Sequence, residues 1–235
     1  MRIRFKKWAR PELEASRFYI DEPEKYKGKW RTLFENNSPL YVELGCGKGG
    51  FISQIASENP NIDYIAIDLV DAMLGLAKRN IEEVYAEKNE EINNVLISRY
   101  DIDRILNVFD ENDKIDRIYI NFCNPWPRGK HHKKRLTHTR QLEKYKQFLS
   151  ENGEIYFKTD DDDLFNSSLT YFEESGFEII AKTYDLHKEP IFENNIETEH
   201  ERMFSEQGIK IKALIAKCSF GSTSFENIDV KKNIE

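Results

Sequence analysis

Polar side chains with ligand-binding chemistry stand at or just after the ends of five separate apolar runs. Each run is typical of a buried strand, and the carboxyl ends of parallel strands meet at one edge of a sheet, where ligands bind. Carboxylate and amide groups at that edge can accept hydrogen bonds from hydroxyl or amino groups. The sequence therefore predicts one cleft that collects Glu43, Asp68, Asp101, Asn124 and Asp160.

A glycine-rich loop follows the first run and precedes a helical stretch, as at the opening of a nucleotide-binding unit. Gly45 and Gly47 allow positive φ and close approach of a ligand to the backbone, and the helix start presents free N–H groups. The spacing departs from the dinucleotide fingerprint G-x-G-x-x-G, and Glu43 would repel a phosphate but attract an ammonium group. We therefore favour S-adenosylmethionine as the ligand; a plain tight turn is the alternative.

Two further acids have alternative roles. Asp68 ends the second run, where an acid typically accepts both ribose hydroxyls, although it can also cap the next helix. Asp101 and Asp103 follow the third run and precede a helix. One of these two is expected to cap that helix and the other to accept the adenine amino group; the sequence leaves the choice open.

The fourth run leads into a proline-rich rim and then into a basic segment. Pro125 and Pro127 forbid any continuation of the strand. The segment that follows, here called the basic strip, holds five positive charges and two histidines with no acid. Its members are Arg128, Lys130, His131, His132, Lys133, Lys134 and Arg135. Such a cluster favours phosphate binding; a solvated loop is the alternative.

Two residues beside the basic strip have alternative interpretations. Trp126 is suited either to stacking on a base or to packing under the loop. We interpret Cys123 as a small core residue rather than a nucleophile.

An acidic run and a long polar connection follow the fifth strand. Asp160 lies at the strand's carboxyl end, level with the other acids, which favours a role in the site. The next three residues, 161–163, are typical of a helix start that complements the macrodipole. Residues 185–208 form a long polar connection, and such connections in compact domains are usually functional.

Strands alternate with helices along the chain, which predicts an α/β fold: a mostly parallel, seven-stranded sheet with helices on both faces. The predicted strands span 39–44, 63–67, 94–98, 115–122, 154–159, 177–184 and 209–218. The predicted helices span 51–58, 70–84, 105–109, 136–149 and 164–174.

The 235 residues suffice for one well-buried domain. We expect a basic, partly mobile N-terminal arm over 1–35, a single domain over 36–220 and a mobile tail over 221–235. Three cysteines without C-x-x-C spacing support neither a disulfide framework nor a metal site. The absence of a long apolar stretch or signal sequence predicts a cytoplasmic protein with no membrane partner.

Charge is distributed unevenly. The formal net charge is −7, which alone argues against a nucleic-acid partner. Setting aside the five positive charges of the basic strip leaves −12 on the rest of the chain. The field is therefore polarised, with one basic surface on an acidic body.

Four motifs carry a resemblance to a known family: N-F-x-x-P-W-P at 121–127, F-K-T-D at 157–160, T-E-x-E at 198–201, and a basic start ending near Trp8. The chain resembles, over nearly its whole length, the bacterial tRNA (guanine-N7-)-methyltransferases. The resemblance implies a Rossmann-like class I methyltransferase fold, S-adenosylmethionine as cofactor and tRNA as partner. It also implies methyl transfer to N7 of a guanine in the tRNA variable loop.

The resemblance also implies roles for particular residues. Cofactor contacts fall on Glu43, Asp68, Asp101 and Asn124, beside the loop glycines Gly45 and Gly47. Substrate contacts fall on Arg128, Asp160, Thr198, Glu199, His200 and Glu201, and RNA contacts on Lys130, His131, His132, Lys133, Lys134 and Arg135. The catalytic roles go to Asn124 and Asp160.

Four positions depart from the family's pattern. Cys123 and Asn124 stand where the family usually has serine and aspartate, so Asn124 keeps an acceptor oxygen but loses the charge. Arg128 replaces a lysine and His200 an aromatic residue.

Guanine N7 has a lone pair and no proton, so attack on a sulfonium methyl needs positioning rather than a general base. We expect Asp160 and Glu201 to accept hydrogen bonds from guanine N1–H and the 2-amino group. One alternative is an exocyclic-amino methyltransferase that uses Asn124 and Pro125, as in N-P-P-[YF] enzymes. Another is a tRNA-binding protein without catalysis. Both a monomer and a homodimer are compatible with the sequence.

Overall fold

A computed structural model describes residues 5–218. The strands are β1 (Tyr19–Ile20), β2 (Leu40–Leu44), β3 (Asp63–Asp68), β4 (Val95–Arg99), β5 (Ile115–Asn121), β6 (Leu149–Thr159), β7 (Phe177–Thr183) and β8 (Lys212–Cys218). The α-helices are α1 (Ala9–Glu14), α2 (Gly50–Glu58), α3 (Asp71–Lys88), α4 (Thr139–Tyr145), α5 (Asp162–Glu174) and α6 (Glu199–Glu206). Four 3-10 helices span Pro23–Tyr26, Trp30–Leu33, Ile102–Asn107 and Gly129–Lys134.

All eight strands form one sheet, in the order β1-β4-β3-β2-β5-β6-β8-β7. Strands β1 to β6 pair in parallel, and β8 runs antiparallel to both β6 and β7. The strand order reverses direction between β2 and β5, and ligands in such sheets bind at that switch point. The predicted α/β class is confirmed. The sheet has one strand more than predicted, because β1 is too short to show an alternating pattern.

Two boundaries shifted for an identifiable reason. Strand β6 begins at Leu149, which pairs with Ile115, and not at Glu154 as predicted. The Asn152-Gly153 pair lies inside the strand, with Asn152 at φ 68°. The helix predicted over 136–149 is shorter and spans only Thr139–Tyr145, because residues 146–148 form a turn and Leu149 begins β6.

The N-terminal segment packs on the sheet domain from Ala9 onward. Leu13, Phe18 and Trp30 belong to the main hydrophobic core. The indole Nε1 of Trp30 donates to the Val108 carbonyl at 2.9 Å, and the Asp113 carboxylate accepts from the Trp30 backbone N–H at 3.2 Å. The division at residue 35 stays a prediction. The first four residues and the predicted tail lie outside the described residues.

Helix α3 confirms the helix predicted over 70–84, and it has one buried apolar face. Leu74, Ala77 and Ile81 are fully buried, whereas Lys78 and Glu82 pair on the outer side. At Gly49, which precedes α2 and has φ 78°, an added Cβ would lie 2.7 Å from the Cα of Ala77 in α3. Glycine is therefore required where the start of α2 closely approaches α3. No helix in residues 5–218 is long and apolar enough to cross a membrane.

Candidate active site

The glycine loop lies between the carboxyl ends of β2 and β3. Gly45 and Gly47 have φ of 84° and 55°, a conformation that glycine adopts without the cost of a Cβ. The Asp68 carboxylate accepts from the Gly47 N–H at 3.0 Å and from the Val70 N–H at 2.9 Å. Asp68 therefore links the glycine loop to the residues that lead into α3. Burial raises the pKa of Asp68, and the hydrogen bonds from these N–H groups oppose that rise.

Glu43 is 2% exposed beneath this loop. Asn121 Nδ2 donates to its Oε1 at 3.1 Å, whereas its buried Oε2 has no hydrogen-bond partner among the described residues. Burial raises the pKa of Glu43 to about 7, opposed by Asn121 and by the charge of Lys158. A buried acceptor without a partner is costly, so Glu43 is suited to receive a cationic donor from a ligand.

Two adjoining cavities share Gly45 and Phe122 as walls. The smaller, about 190 Å³, is lined by Glu43 together with Thr198, Glu199 and His200. The larger, about 570 Å³, is lined by Asp68, Asp101 and Asn124. The structure thus brings the four predicted acidic and amide residues of β2 to β5 to one edge of the sheet.

Asp101 and Asp103 have different surroundings. Asp101 accepts from the Asp103 backbone N–H at 3.0 Å and caps the 3-10 helix that follows. Gln141 Nε2 donates to the Asp103 side chain at 2.6 Å, and Lys144 lies nearby, so Asp103 is tied to α4. Asp101 is the helix cap, and its second carboxylate oxygen has no hydrogen-bond partner among the described residues.

Asn124 lies in a tight turn beyond the end of β5. The strand stops at Asn121, and Phe122 and Trp126 have φ of 50° and 44°. Asn124 Oδ1 accepts from the Trp126 backbone N–H at 3.0 Å, so the side chain shapes the rim of the larger cavity. The neighbouring Cys123 has its pKa raised to about 12 by burial, which agrees with its interpretation as a packing residue.

The basic strip divides into exposed and buried members. Arg128, Lys130, Lys133 and Lys134 are exposed, and His131 and His132 are half-buried. Lys134 Nζ lies 4.9 Å from the centre of the Trp126 ring, and that ring also lies 5.8 Å from the ring of His131. Trp126 therefore packs among the side chains of the strip while lining the larger cavity.

Arg135 does not belong to the exposed surface. Its side chain is 0% exposed; Nε donates to the Pro125 carbonyl at 2.7 Å, and the guanidinium pairs with Asp163. In this structure the guanidinium is buried among these partners and is not presented to a phosphate, and the expected contact of Arg135 with RNA stays a prediction. It fastens the proline-rich rim to the start of α5.

Asp160 is half-buried just beyond the end of β6. Burial raises its pKa, and the adjacent Asp161 adds to the rise, whereas Lys212 and His200 oppose it. These influences place Asp160 near His200. Asp161 caps α5 by accepting from the Leu164 N–H at 2.7 Å, which confirms the predicted helix start.

The T-E-x-E residues begin helix α6, which the sequence did not predict. Thr198 Oγ1 caps the helix by accepting from the Glu201 N–H at 3.0 Å. Lys48 Nζ of the glycine loop donates to both Glu199 carboxylate oxygens at 2.9 Å. The His200 ring stacks on Phe122, with centroids 6.1 Å apart.

Glu201 lines neither of these two cavities and is 0% exposed. Its Oε2 accepts from Lys158 Nζ at 2.5 Å, and its Oε1 accepts from His187 Nε2 at 2.9 Å and from Asn195 Nδ2 at 2.7 Å. In this conformation three donors occupy a fully buried carboxylate, and the expected contact of Glu201 with guanine stays a prediction.

Lys158 is the residue that sequence reasoning missed. Burial lowers its pKa, and Glu201 opposes this effect. The available signal was a lysine directly after Ile155, Tyr156 and Phe157 near the carboxyl end of a strand, where a buried charge is retained only if it has a partner.

Comparisons with known proteins show which family the chain resembles. A family model described as "Putative methyltransferase" matches residues 37–214. A tRNA (guanine-N(7)-)-methyltransferase of Clostridium botulinum (strain Eklund 17B / Type B) is 62% identical over 216 residues, covering 92% of this chain and 98% of that protein. The enzyme of the same name from Clostridium perfringens (strain 13 / Type A) is 58% identical over 218 residues, covering 92% and 99%.

Among solved structures, the 16S rRNA methyltransferase KamB matches with a TM-score of 0.60 at 13% identity, covering 81% of this chain and 93% of that one. At that identity the match concerns the fold alone, and it supports the class I methyltransferase architecture. The two relatives, by contrast, share most of their residues with this chain along nearly their full length. The chain therefore belongs to the tRNA (guanine-N7-)-methyltransferase family.

Proposed function

We propose that this protein transfers a methyl group from S-adenosylmethionine to N7 of a guanine in the variable loop of tRNA, in the cytoplasm. One observation carries the proposal: the relatives named for this reaction are 62% identical over 92% of the chain. It is supported by the two adjoining cavities, which are lined by the residues predicted for the cofactor and by Thr198, Glu199 and His200.

The residues around the cavities fit S-adenosylmethionine. The unpartnered Oε2 of Glu43 suits the ammonium group, and the positive-φ glycines Gly45 and Gly47 leave the backbone open to a ligand. Asp68 and Asp101 in the larger cavity supply acceptors for the ribose hydroxyls and the adenine amino group. When bound, the cofactor supplies an electrophilic methyl group on a sulfonium centre.

Guanine recognition is assigned to the opposite side of the same cleft. Asp160 accepts from guanine N1–H and the 2-amino group, a donor pair that adenine lacks. Its charge also favours the positive charge that develops on the methylated ring. His200, stacked on Phe122, offers a planar surface for the base. Arg128, the first residue of the basic strip, is the further substrate contact.

The exposed part of the basic strip is assigned to the tRNA backbone. Lys130, Lys133 and Lys134 are exposed on the 3-10 helix Gly129–Lys134, which also contains His131 and His132. Clustered lysines bind phosphates through counterion release. An otherwise acidic protein thereby presents one surface to its nucleic-acid substrate, as monomer or homodimer.

Asn124 separates this proposal from methylation of an exocyclic amine. In that alternative the asparagine oxygen accepts from the reacting amine, but here Oδ1 accepts from the Trp126 N–H at 3.0 Å. Nucleoside mass spectrometry of tRNA incubated with enzyme and cofactor tests the proposal. We expect 7-methylguanosine; an N-methylated adenosine would indicate the amine chemistry, and unmodified tRNA a binding protein without catalysis.

A further inference from the structure

The first residues of α6 reach three different elements at the carboxyl edge of the sheet. Glu199 pairs with Lys48 of the glycine loop, His200 stacks on Phe122 beyond β5, and Glu201 pairs with Lys158 of β6. The first pair is exposed, with side chains 44% and 68% accessible, whereas the last is buried, at 2% and 0%. Exposed pairs contribute little, so the buried pair dominates the placement of α6.

Lys158 uses all three of its N–H donors on this one segment. Nζ donates to Asn195 Oδ1 at 3.0 Å, to the Ile196 carbonyl at 2.8 Å and to Glu201 Oε2 at 2.5 Å. An ammonium group has three donors and no acceptor. Its hydrogen-bonding capacity is therefore fully used in fastening residues 195–201 to the sheet.

Glu201 closes the same segment from the other side. Its Oε1 accepts from His187 and from Asn195, and its backbone N–H donates to the Thr198 side chain at 3.0 Å. The carboxylate thus joins the beginning, the middle and the end of residues 187–201 around one buried charge. Removal of either partner leaves the other charge buried and unpaired, which is far more damaging than the removal of both.

We infer that Lys158 is a positioning residue that acts through Glu201: the pair is a latch that holds α6 over the cleft, so that Thr198, Glu199 and His200 face the smaller cavity. Glu201 takes part in this latch in the folded chain without tRNA. The inference rests on the proposed function for the role of α6, but the latch itself is a property of the folded chain.

Four variants separate the latch from direct base recognition. Lys158→Met and Glu201→Gln each remove one charge, and the double variant Lys158→Met/Glu201→Gln removes both. In the double variant, the new side-chain amide at position 201 can donate a hydrogen bond to an acceptor that Lys158 bonds in the wild type, such as Asn195 Oδ1 or the Ile196 carbonyl. Arg202→Met is the matched control, because Arg202 lies on the same helix in an exposed pair with Glu197.

The first measurement is hydrogen exchange of backbone amides in residues 187–204, with no cofactor or tRNA present. Lys158→Met should accelerate exchange there by about tenfold or more, and the double variant should return it to within about threefold of the wild-type rate. Arg202→Met should exchange as the wild type does. Wild-type exchange in Lys158→Met, or a double variant that exchanges as fast as Lys158→Met, would overturn the latch.

The second measurement is steady-state kinetics with tRNA. Lys158→Met should raise KM for tRNA by about tenfold, with cofactor affinity within about twofold of wild type, and the double variant should recover most of the loss. If Glu201 acted only by contacting guanine, Glu201→Gln would lower kcat while its exchange stayed at the wild-type rate, and the double variant would not recover. If Lys158→Met fails to fold, the exchange and kinetics of Glu201→Gln and the double variant still decide. If the wild-type protein transferred no methyl group, the proposed function would be refuted. The hydrogen-exchange result alone would then test the latch.

Discussion

Replacement of Glu43 by glutamine should have opposite effects on the stability of the ligand-free protein and on cofactor binding. The carboxylate is buried beneath the glycine loop with one oxygen unpartnered among the described residues. Glutamine keeps the shape and the acceptor that Asn121 uses, but it cannot become charged. The variant therefore isolates the free energy of holding a negative charge at this position.

The magnitude follows from the pKa of Glu43, which burial raises from 4.5 to about 7. The folded state keeps its proton to a higher pH than the unfolded state, so the free energy of unfolding falls as pH rises from about 4.5 through 7. A difference of about 2.5 units corresponds to at most about 3 kcal/mol. We expect Glu43→Gln to raise the free energy of unfolding at pH 8 by about 1–3 kcal/mol and to change it little at pH 4.5.

Cofactor affinity should change in the other direction. Loss of a charge-assisted hydrogen bond to the ammonium group costs about 1.5–3 kcal/mol, or roughly ten- to hundredfold in Kd. Urea unfolding of the ligand-free protein at both pH values and calorimetry with S-adenosylmethionine measure the two effects. Glu58→Gln at an exposed position is the matched control. Equal stability of Glu43→Gln and wild type at pH 8, together with equal cofactor affinity, would refute the reasoning.

Four further variants test the other parts of the site. Asp160→Ala should lower turnover about ten- to hundredfold through loss of one buried acceptor without changing cofactor affinity; near-normal turnover in a single-turnover assay would exclude Asp160 from base recognition. Replacing Lys133 and Lys134 by alanine should weaken binding to all tRNAs and reduce the slope of log K against log salt by about 1.5, and an unchanged slope would mean that the strip is only solvated. Arg135→Ala should instead lower the free energy of unfolding by about 2–4 kcal/mol, as chemical denaturation would show, with the salt slope unchanged. Asn124→Asp should retain the turn at the rim, because a carboxylate oxygen can also accept from the next-but-one N–H; loss of the folded structure in circular dichroism would contradict that.

The sheet and the positions of the acids were predictable because they depend on local patterns. Apolar runs in the chain mark buried strands, and the ends of those runs place Glu43, Asp68 and Asp101 at one edge of a parallel sheet. The glycine loop was predictable for the same reason, since its conformational requirement is set by adjacent residues. Strand β1 was not predictable, because two residues cannot show a period and its pairing with β4 depends on the tertiary fold.

The burial of Arg135 and Glu201 was not predictable from composition or from resemblance. Each lies in a motif whose other members are exposed or line a cavity, and nothing in the motif distinguishes the buried member. Their partners, Asp163 and Lys158, lie 28 and 43 positions away in the chain. Only the packed structure brings these charges together, and it shows both residues as supports of the site, whereas their expected ligand contacts stay predictions.

The central claim concerns one atom of the substrate, guanine N7. An unmodified tRNA transcript should accept a methyl group from labelled S-adenosylmethionine, whereas a transcript made with 7-deazaguanosine, which carries a C–H in place of N7, should bind the enzyme equally well and accept none. Equal labelling of the two transcripts would contradict the account.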